Sequence, residues 1–305
     1  MSRTGRCSAT SPSSPRPRRL RSRLAMTPID PESTQSERIS QMSLPSDSGD
    51  AIAAGPAPFP TVRVGSVPFS VASLDETVDW LLRVAGPQRL SLNVRLANAY
   101  NVALADSDPS YRALLSNQGV NFPDGTPVVW AMNARRSKLS RASHVRGPSL
   151  FAETMRRGTT FGTKHFLLGA SEETLSALRD ELVLRYPDLI IVGHYSPPFA
   201  PADDAFVEDC AHQISKADAD IVWIGLGTPK QDLVGSALAH RLSMTTVNVG
   251  AAFDFVAGTV REAPRWIQGT GFEWLYRLAS EPRRLWRRYL FGNLAFIRAI
   301  ARPRG

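Results

Sequence analysis

The sequence predicts an α/β fold in which a doubly wound, mainly parallel sheet is followed by a helical appendage. Beyond Pro60, short apolar runs alternate with amphipathic stretches, which is typical of repeated β-α units around a parallel sheet. The chain has 305 residues, of which 43% are apolar, so it can build one substantial domain with extensions. Strand patterns stop after Gly258, where short helical pieces broken by proline and glycine follow.

Seven apolar runs are the strand candidates. They lie at residues 61–64, 90–96, 119–122, 164–168, 189–192, 219–224 and 246–249. Amphipathic stretches lie between them, so we expect a Rossmann-like domain that covers residues 59–258.

Local start signals predict several of the helices. Ser73 is followed three residues later by Glu76, which is the spacing of a capping box. Asp108-Pro109 opens a further helix whose apolar side chains share one face. Residues 171–186 and 203–216 have similar patterns.

The N-terminal segment, residues 1–58, is rich in Arg, Ser and Pro and is predicted to be a disordered tail. It lacks the apolar block of about 7–15 residues that a secretory signal requires. No stretch of the chain approaches about eighteen uninterrupted apolar residues, so we expect no transmembrane helix.

The predicted appendage, residues 259–305, has an unusual composition. From residue 261 onwards it contains ten arginines, three glutamates, no lysine and eight aromatic rings. Arginine forks match phosphate geometry, and aromatic rings insert at a lipid interface. The segment therefore suits a phosphorylated ligand, an anionic membrane surface, or both. The candidates for its membrane or packing face are Trp266, Trp274, Trp286 and Phe291.

The distribution of charge argues against a nucleic-acid partner. Residues 1–25 contain seven arginines and no acidic residue, whereas residues 26–260 contain 19 basic and 25 acidic residues. Both ends are cationic and the body is acidic, so contact with anionic surfaces is expected at the ends and not across the core.

The sequence indicates no metal site, no other cofactor and no disulfide framework. Cys7 and Cys210 lie in very different contexts, and the five histidines are scattered without ligand spacing. No Asp-x-Asp pair is positioned after a strand. This cysteine usage is consistent with a reducing compartment.

Asp124 is the first candidate site residue, because it follows a predicted strand and precedes a helix, with Gly125 beside it. Ligands of open α/β sheets bind outside the carboxyl ends of the strands. A carboxylate there can act as a general base on a hydroxyl group. Asp-Gly also makes turns, and Asp124 could instead cap the following helix, so the sequence leaves these alternatives open.

The second candidate is the segment Gly225-Leu-Gly-Thr-Pro-Lys-Gln-Asp232, which follows a predicted strand. Bare amide groups at Gly225 and Gly227, a helix N-terminus and Lys230 together suit a diphosphate. The segment lacks the third glycine of a dinucleotide fingerprint and the Gly-Lys-Ser/Thr of a P-loop. Thr228 and Gln231 also fit a capping box with Pro229 at the first helical position, which would be a purely structural role.

The third candidate closes the last predicted strand, at Val249-Gly-Ala-Ala-Phe-Asp254. Gly250 and Ala251 allow a ligand to approach closely, and Asp254 could contact a sugar hydroxyl. Asp254 could equally form an ion pair with an arginine of the appendage.

These segments together resemble the WecG/TagA/CpsF glycosyltransferases, glycosyltransferase family 26. The resemblance covers residues 62–292 in consistent order and rests on the motifs Asn98-Ala-Tyr-Asn-Val, Ala105-Asp-Ser-Asp-Pro-Ser-Tyr-Arg, Pro123-Asp-Gly-Thr-Pro-Val-Val, Val145-Arg-Gly-Pro, Gly225-Leu-Gly-Thr-Pro-Lys-Gln-Asp and the run from Val249 through Glu281-Pro-Arg-Arg. Several motifs in the same order are far more specific than any one of them.

The resemblance implies an inverting, metal-independent enzyme of cell-surface or exopolysaccharide biosynthesis. Such an enzyme moves a sugar, often N-acetylmannosamine or a uronic acid, from a UDP-sugar donor to a polyprenyl-diphosphate-linked acceptor. It implies a cytoplasmic protein, peripheral on the inner face of the cytoplasmic membrane. The oligomeric state stays open, a homo-oligomer included.

The resemblance also implies roles for particular residues. Asp124 matches the family's proposed catalytic base, Gln231 a second catalytic residue, and Asn98 an asparagine that lines the pocket. The arginines matching those thought to neutralise the UDP diphosphate are Arg277, Arg284 and Arg287. The predicted substrate-binding residues are Asn98, Gly125, Gly225, Gly227, Thr228, Pro229, Lys230, Asp254, Arg277, Arg284 and Arg287.

The chain departs from the family's pattern at five places. Family members usually have Glu at Asp232, Arg-Ala-Pro at Glu262-Ala-Pro, Gly-Ser-Asp at Gly147-Pro-Ser, Gly-Leu-Glu-Trp at Gly271-Phe-Glu-Trp, and often Thr at Leu96. These departures put the sugar and acceptor contacts in doubt and leave the phosphate and base elements intact.

The sequence leaves two other classes of function as alternatives. A nucleotide-binding oxidoreductase would need a Gly-x-Gly-x-x-Gly turn after the first strand, and none follows Val64. A non-catalytic membrane adaptor could use the cationic ends, but it leaves the polar residues after the strands unexplained. For the transferase, we expect deletion from Arg261 to leave a folded α/β domain with little activity.

Overall fold

The structure is a computed structural model that describes residues 58–134, 141–264, 266–267 and 269–301, without the side chains of residues 284 and 287–289. The predicted N-terminal tail lies outside the described residues apart from its last position.

Strands and helices alternate along most of the described chain. The strands are β1 Thr61–Val64, β2 Val67–Ser70, β3 Leu92–Ala97, β4 Val120–Pro123, β5 Lys164–Gly169, β6 Ile190–Tyr195, β7 Ile221–Gly225 and β8 Thr245–Asn248. The helices are α1 Leu74–Ala85, α2 Ala99–Ser107, α3 Pro109–Asn117, α4 Thr126–Asn133, α5 Gly147–Phe161, α6 Glu172–Arg185, α7 Asp204–Ser215, α8 Lys230–Leu242, α9 Ala252–Val256, α10 Glu273–Ser280 and α11 Pro282–Ala301.

Six strands form one parallel sheet in the order β4-β3-β8-β7-β5-β6. Strands β1 and β2 form a separate antiparallel hairpin. Helices cover both faces of the sheet, so both faces of its central strands are apolar: in β7, Val222 and Ile224 belong to one buried cluster and Ile221 and Trp223 to the other. The predicted doubly wound, Rossmann-like fold is confirmed.

All seven predicted strands are present, with boundaries shifted by up to three residues. One predicted strand, β1, does not join the parallel sheet. It pairs with β2, a strand that was not predicted from the sequence. Strand β2 has only four residues and contains Pro68, which cannot donate a ladder hydrogen bond.

The predicted helix starts at residues 73, 108, 171 and 203 are confirmed, and Ser171 and Asp203 are the N-caps of α6 and α7. Ser73 and Glu76 form a capping box at α1, and Asp108 caps α3 with Pro109 in its first turn. The capping box predicted at Thr228 and Gln231 is wrong: α8 begins at Lys230, and its N-cap has no side-chain hydrogen bond.

The C-terminal helix α11 is packed against the α/β domain. It lies on α2, and Phe296 and Ala299 of α11 join the buried cluster that contains Val102 of α2. The last helix of the predicted appendage is therefore part of the core of the domain.

Candidate active site

The candidate site lies at the carboxyl ends of four adjacent strands, β4, β3, β8 and β7. Asp124 follows β4, Asn98 follows β3, Gly250 follows β8, and Gly225 ends β7. Because parallel strands end at the same edge of the sheet, residues distant in sequence are brought together here. Helix α10 of the appendage lies over this edge through Arg277.

Two neighbouring cavities open at this edge. The first, here the appendage cavity, has a volume of about 130 Å³ and is lined by Tyr100, Gly125, His144 and Trp274, among others. The second, the strand-end cavity, has about 250 Å³ and is lined by the loops after β7 and β8. Asn98, Asp124 and Arg277 line both cavities, so the wall between them carries an amide, a carboxylate and a guanidinium group.

Asp124 is held at this wall by its backbone. Its amide donates to Ala97 O at 2.9 Å, which continues the pairing of β3 with β4. Its side chain is 32% exposed. It does not cap α4, because the N-cap is Gly125 and no side-chain cap hydrogen bond is present. The carboxylate therefore faces the cavities instead of completing the helix.

His144 lies beside Asp124, and the sequence did not single it out. Its Nε2 accepts a hydrogen bond from Gly125 N at 2.5 Å and lies 3.5 Å from Asp124 Oδ1. The chain returns to this place because Val145 N donates to Pro123 O at 3.0 Å, beyond the end of β4. This contact joins positions about twenty residues apart, and no local sequence pattern signals it.

Asn98 is the N-cap of α2. Its side-chain Oδ1 accepts a hydrogen bond from Tyr100 N at 3.0 Å, and its backbone N–H donates to Asn101 Oδ1 at 3.0 Å. With Oδ1 used by the cap, the side-chain NH₂ is the group that Asn98 can offer at the junction of the cavities. Tyr100, in the first turn of α2, lines the appendage cavity.

The loop after β7 contributes Gly225, Gly227 and Thr228 to the strand-end cavity. A Cβ on Gly225 would lie 2.7 Å from the Phe253 ring, so this glycine is required by packing. Gly227 has φ +76°, and a Cβ there would meet no atom within 4 Å, so it faces open space. Its amide donates to Gln231 Oε1 at 3.2 Å. The buried Gln231 thus holds the loop and also lines the cavity.

Lys230 and Pro229 are not among the residues that line the two cavities. Lys230 Nζ donates to Ala200 O at 2.6 Å and lies 3.6 Å from the centre of the Phe206 ring. Burial lowers the pKa of this amine. The structure therefore does not bring the ammonium group together with the other predicted ligands.

The loop after β8 provides the remaining wall of the strand-end cavity. Gly250 has φ +56°, and a Cβ there would lie 3.6 Å from Gln231 Oε1. Asp254, in the short helix α9, lines the same cavity, as predicted from its place after the last strand.

Arg277 is the cationic group of the shared wall. Its guanidinium carbon lies 5.2 Å from the centre of the Phe255 ring. Its Nε is buried and has no hydrogen-bond partner among the described residues. A buried donor without a partner costs about 1–3 kcal/mol. Other atoms of Arg277 line both cavities. Arg284 and Arg287 lie in α11, and their side chains are outside the described residues.

A salt-bridge cluster joins the appendage to the domain beside the appendage cavity. Arg146 Nη2 lies 2.6 Å from Glu262 Oε1 and 3.3 Å from Glu273 Oε2. Glu273 also accepts from Gly269 N at 2.5 Å and lines the cavity. Arg146 thereby connects the segment before α5 with helix α10.

Among the described residues there is no group of three or more His, Cys, Asp and Glu residues that could hold a metal ion. Within the same part of the chain, no helix is long and apolar enough to cross a membrane.

Comparison with known families identifies the chain. The profile of the WecG/TagA/CpsF family of glycosyl transferases matches residues 62–304, which is most of the chain. The chain belongs to this family. Its α/β domain and appendage together make up the matched region, so the cavities described above lie within a glycosyltransferase.

The chain is similar to a protein from Bacillus subtilis (strain 168). This protein is named N-acetylglucosaminyldiphosphoundecaprenol N-acetyl-beta-D-mannosaminyltransferase. It is 26% identical over 234 residues, which cover 75% of this chain and 87% of the relative. Family membership leaves the oxidoreductase and the non-catalytic adaptor without support.

Asp232, where the family usually has Glu, is buried away from both cavities. It accepts hydrogen bonds from Tyr111 Oη at 2.6 Å, Asn101 Nδ2 at 3.2 Å and Asn248 Nδ2 at 3.0 Å. Burial and the nearby Asp232 raise the pKa of Tyr111, and burial lowers the pKa of Arg95 in the same region to about 10. This departure therefore affects a buried polar network that ties α2, α3 and α8 to the sheet.

Of the other departures from the family pattern, one lies at a cavity. Leu96 lines the strand-end cavity, so it is placed to affect ligand contacts there. Glu262 instead binds Arg146 and so stabilises the position of the appendage. Gly147 packs against Val249, the residue after β8, because a Cβ there would lie 3.1 Å from Val249 O. Phe272 is exposed.

Proposed function

We propose that the protein transfers N-acetylmannosamine, a uronic acid or a related sugar from UDP to a polyprenyl-diphosphate-linked saccharide, with inversion at the anomeric carbon. In this reaction an acceptor hydroxyl oxygen bonds to the anomeric carbon of the donor. The bond from that carbon to the diphosphate oxygen breaks, and its electron pair leaves with UDP. Asp124 takes the hydroxyl proton.

The observation that carries this proposal is the shared wall of the two cavities. A single displacement requires the base, the acceptor hydroxyl and the leaving diphosphate to meet at one point. Asp124, Asn98 and Arg277 each line both cavities, so a donor in one and an acceptor in the other would meet at these side chains.

We assign the donor to the strand-end cavity. Its walls are the glycine-containing loops after β7 and β8, and Thr228 and Asp254 add polar groups for a nucleotide sugar. Open backbone at Gly227 lets a diphosphate approach closely. Arg277 would neutralise the charge that develops on the leaving diphosphate, and Arg284 and Arg287 are proposed to assist it.

We assign the acceptor to the appendage cavity. Tyr100 and Trp274 offer aromatic faces for a pyranose ring, and Asn293 and Thr126 offer polar groups for its hydroxyls. The relative from Bacillus subtilis is named for an acceptor in which N-acetylglucosamine is joined to a polyprenol by a diphosphate. An acceptor of this chemical class would place its sugar in the cavity and its lipid towards the exposed side of α11.

Exposed apolar side chains on α11 support attachment to a membrane. Trp286, Leu290, Leu294 and Ile297 follow helical spacing and are exposed, and Phe291 is exposed beside them. Arginines in the same helix suit an anionic headgroup layer. We propose that this surface holds the protein on the inner face of the cytoplasmic membrane, next to its lipid-linked acceptor.

The substitution Asp124→Asn tests the proposal. The amide keeps the size of the side chain and removes the base, so we expect turnover to fall by about 10²–10⁴-fold. Release of UDP and formation of the glycosylated acceptor are measured with UDP-N-acetylmannosamine and a short-chain polyprenyl-diphosphate N-acetylglucosamine.

The matched control is Asp188→Asn, the same change at an exposed aspartate before β6, at the opposite edge of the sheet. We expect this variant to keep wild-type turnover. If Asp124→Asn also keeps wild-type turnover, Asp124 is not the base.

A further inference from the structure

The segment before α5 holds His144 in a fixed position against the proposed base. On one side, Ala142 N donates to Asn133 Oδ1 at 2.8 Å. On the other, Val145 N donates to Pro123 O at 3.0 Å. The imidazole is only 17% exposed. Its position is therefore set by hydrogen bonds on both sides.

The hydrogen bond to Gly125 determines the protonation state of this imidazole. The Gly125 amide can only donate, and His144 Nε2 lies 2.5 Å from it. An imidazole nitrogen accepts a hydrogen bond only when it carries a lone pair. The proton of His144 is therefore on Nδ1, and the ring is neutral in this arrangement.

The same nitrogen lies 3.5 Å from Asp124 Oδ1. With a lone pair on Nε2, the imidazole gives no hydrogen bond to the carboxylate, so that oxygen stays available for an acceptor hydroxyl. A proton on Nε2 would break the bond from Gly125. It would also turn the ring into a cationic donor facing Asp124, and the resulting charge-assisted bond would weaken the base.

The other charged groups around this contact come from the appendage and from the same segment. Glu273 and Arg277 of α10 line the same cavity and carry opposite charges. Arg146, two residues after His144, is bound by Glu262 and Glu273. Within the part of the chain that the structure describes, Asp124 is the carboxylate within 4 Å of the imidazole, so protonation of His144 acts first on Asp124.

We propose that His144 is a positioning residue for Asp124: as a neutral Nδ1–H imidazole it fixes the Asp124–Gly125 turn, and its protonation switches the base off. This inference rests on the proposed role of Asp124 as the base. It assigns to His144 the lower pH limit of the transferase reaction.

Two substitutions separate this role from simple packing. His144→Gln can place an amide oxygen near the position of Nε2 and accept from Gly125 without titrating. His144→Leu fills similar space and offers no acceptor. We expect kcat of the Gln variant at pH 8 within about tenfold of wild type, and that of the Leu variant about 10²-fold lower, as for a misplaced catalytic group.

The decisive readout is the pH profile of kcat/KM. In the wild type, kcat/KM should fall as the pH is lowered, because a proton on Nε2 removes the acceptor for Gly125 N. In the Gln variant, which has no imidazole to protonate, this acid limb should lie at lower pH than in the wild type. His194→Gln is the control, because His194 lies in β6 at the far edge of the sheet and its substitution should leave the limb unchanged.

A second measurement does not depend on turnover. Nitrogen-15 NMR of the full chain at pH 8, with His144→Gln used to assign the signals, should show an unprotonated Nε2 and a protonated Nδ1. The Nε2–H tautomer would overturn the inference. Coincident acid limbs for wild type and His144→Gln would also overturn it.

The outcome for Asp124→Asn distinguishes the two proposals. If Asp124→Asn is inactive and the acid limb is the same in wild type and His144→Gln, only the proposed role of His144 fails. If Asp124→Asn is active, the proposed base fails and the role of His144 fails with it.

Discussion

Arg277 is half-buried, its buried Nε has no hydrogen-bond partner among the described residues, and the residue lines both cavities. A guanidinium group usually fills its donor positions when it is buried, because an unsatisfied donor is costly. In the described residues the Nε of Arg277 has no such partner. The part of the side chain that lines the cavities is the part proposed to bind the diphosphate of the donor.

Arg277→Gln should therefore lower catalysis without unfolding the protein. A hydrogen bond to a charged group contributes about 1.5–3 kcal/mol, so we expect kcat/KM for the UDP-sugar to fall by about 10–100-fold. The thermal midpoint should change little, because the loss of the Phe255 contact is offset by removal of an unsatisfied donor.

The matched control for Arg277 is Arg298→Gln, which removes the same charge from an exposed position near the end of α11. Steady-state kinetics with both variants, together with calorimetric binding of UDP, measure the effect. Equal values of kcat/KM for the two variants would show that Arg277 does not contact the diphosphate.

Helix α11 serves the fold as well as the proposed membrane surface. One side of it is buried: Leu285, Phe296 and Ala299 are at most 6% exposed. The opposite side carries the exposed apolar residues. Deletion from Arg261 would therefore uncover Val102 and its neighbours in the core, so we now expect the truncated domain to lose stability as well as activity.

Phe296→Ala tests the structural contribution of α11. The side chain is 5% exposed and packs in the buried cluster that contains Val102, so its removal should cost about 3–5 kcal/mol. Chemical denaturation measures the free energy of unfolding. Phe291→Ala in the same helix is the control, because its side chain is 54% exposed and its loss should cost about 1 kcal/mol or less. Equal losses would mean that α11 is not docked on α2.

The elements that sequence predicted well have local signals. Ser73 and Glu76 are close in sequence and satisfy each other's backbone partners, so the start of α1 could be recognised without tertiary information. The start of α8 could not, because Gln231 bonds to Gly227 and the helix begins one residue later than its sequence suggests. Lys230 is thus the first residue of the helix, and its side chain extends to the Phe206 ring.

The candidate site was predicted where a rule of the fold determines position. Asp124 and Asn98 follow strands, and parallel strands place such residues at one edge. His144 was missed, because its approach depends on a hydrogen bond between Val145 and Pro123, far apart in sequence. Trp274 was predicted as a membrane or packing residue, and it lines the appendage cavity.

The whole molecule has an uneven distribution of charge that matches its exposed apolar surface. The chain carries a net charge of +8, and the segment from residue 261 onwards contributes ten arginines against three glutamates. The acidic body would be repelled by an anionic membrane, whereas the appendage would be attracted. The protein is therefore expected to bind in one orientation, with α11 at the lipid surface and the appendage cavity nearby.

The double substitution Leu290→Ser and Leu294→Ser tests this orientation. Both leucines are exposed, at 56% and 61%, so the fold should not change. Each leucine that enters the bilayer contributes about 1.5–3 kcal/mol, so the variant should bind vesicles of 30% phosphatidylglycerol at least about tenfold more weakly in co-sedimentation. Leu184→Ser, at an exposed leucine of α6, should bind like the wild type.

Raising the salt from 0.1 to 1 M should weaken wild-type binding, because the Debye length falls from about 10 to 3 Å. With a short-chain acceptor in detergent-free solution, the double variant should keep its turnover, which separates membrane attachment from chemistry. Vesicle binding that survives the double substitution would place the lipid contact elsewhere on the molecule.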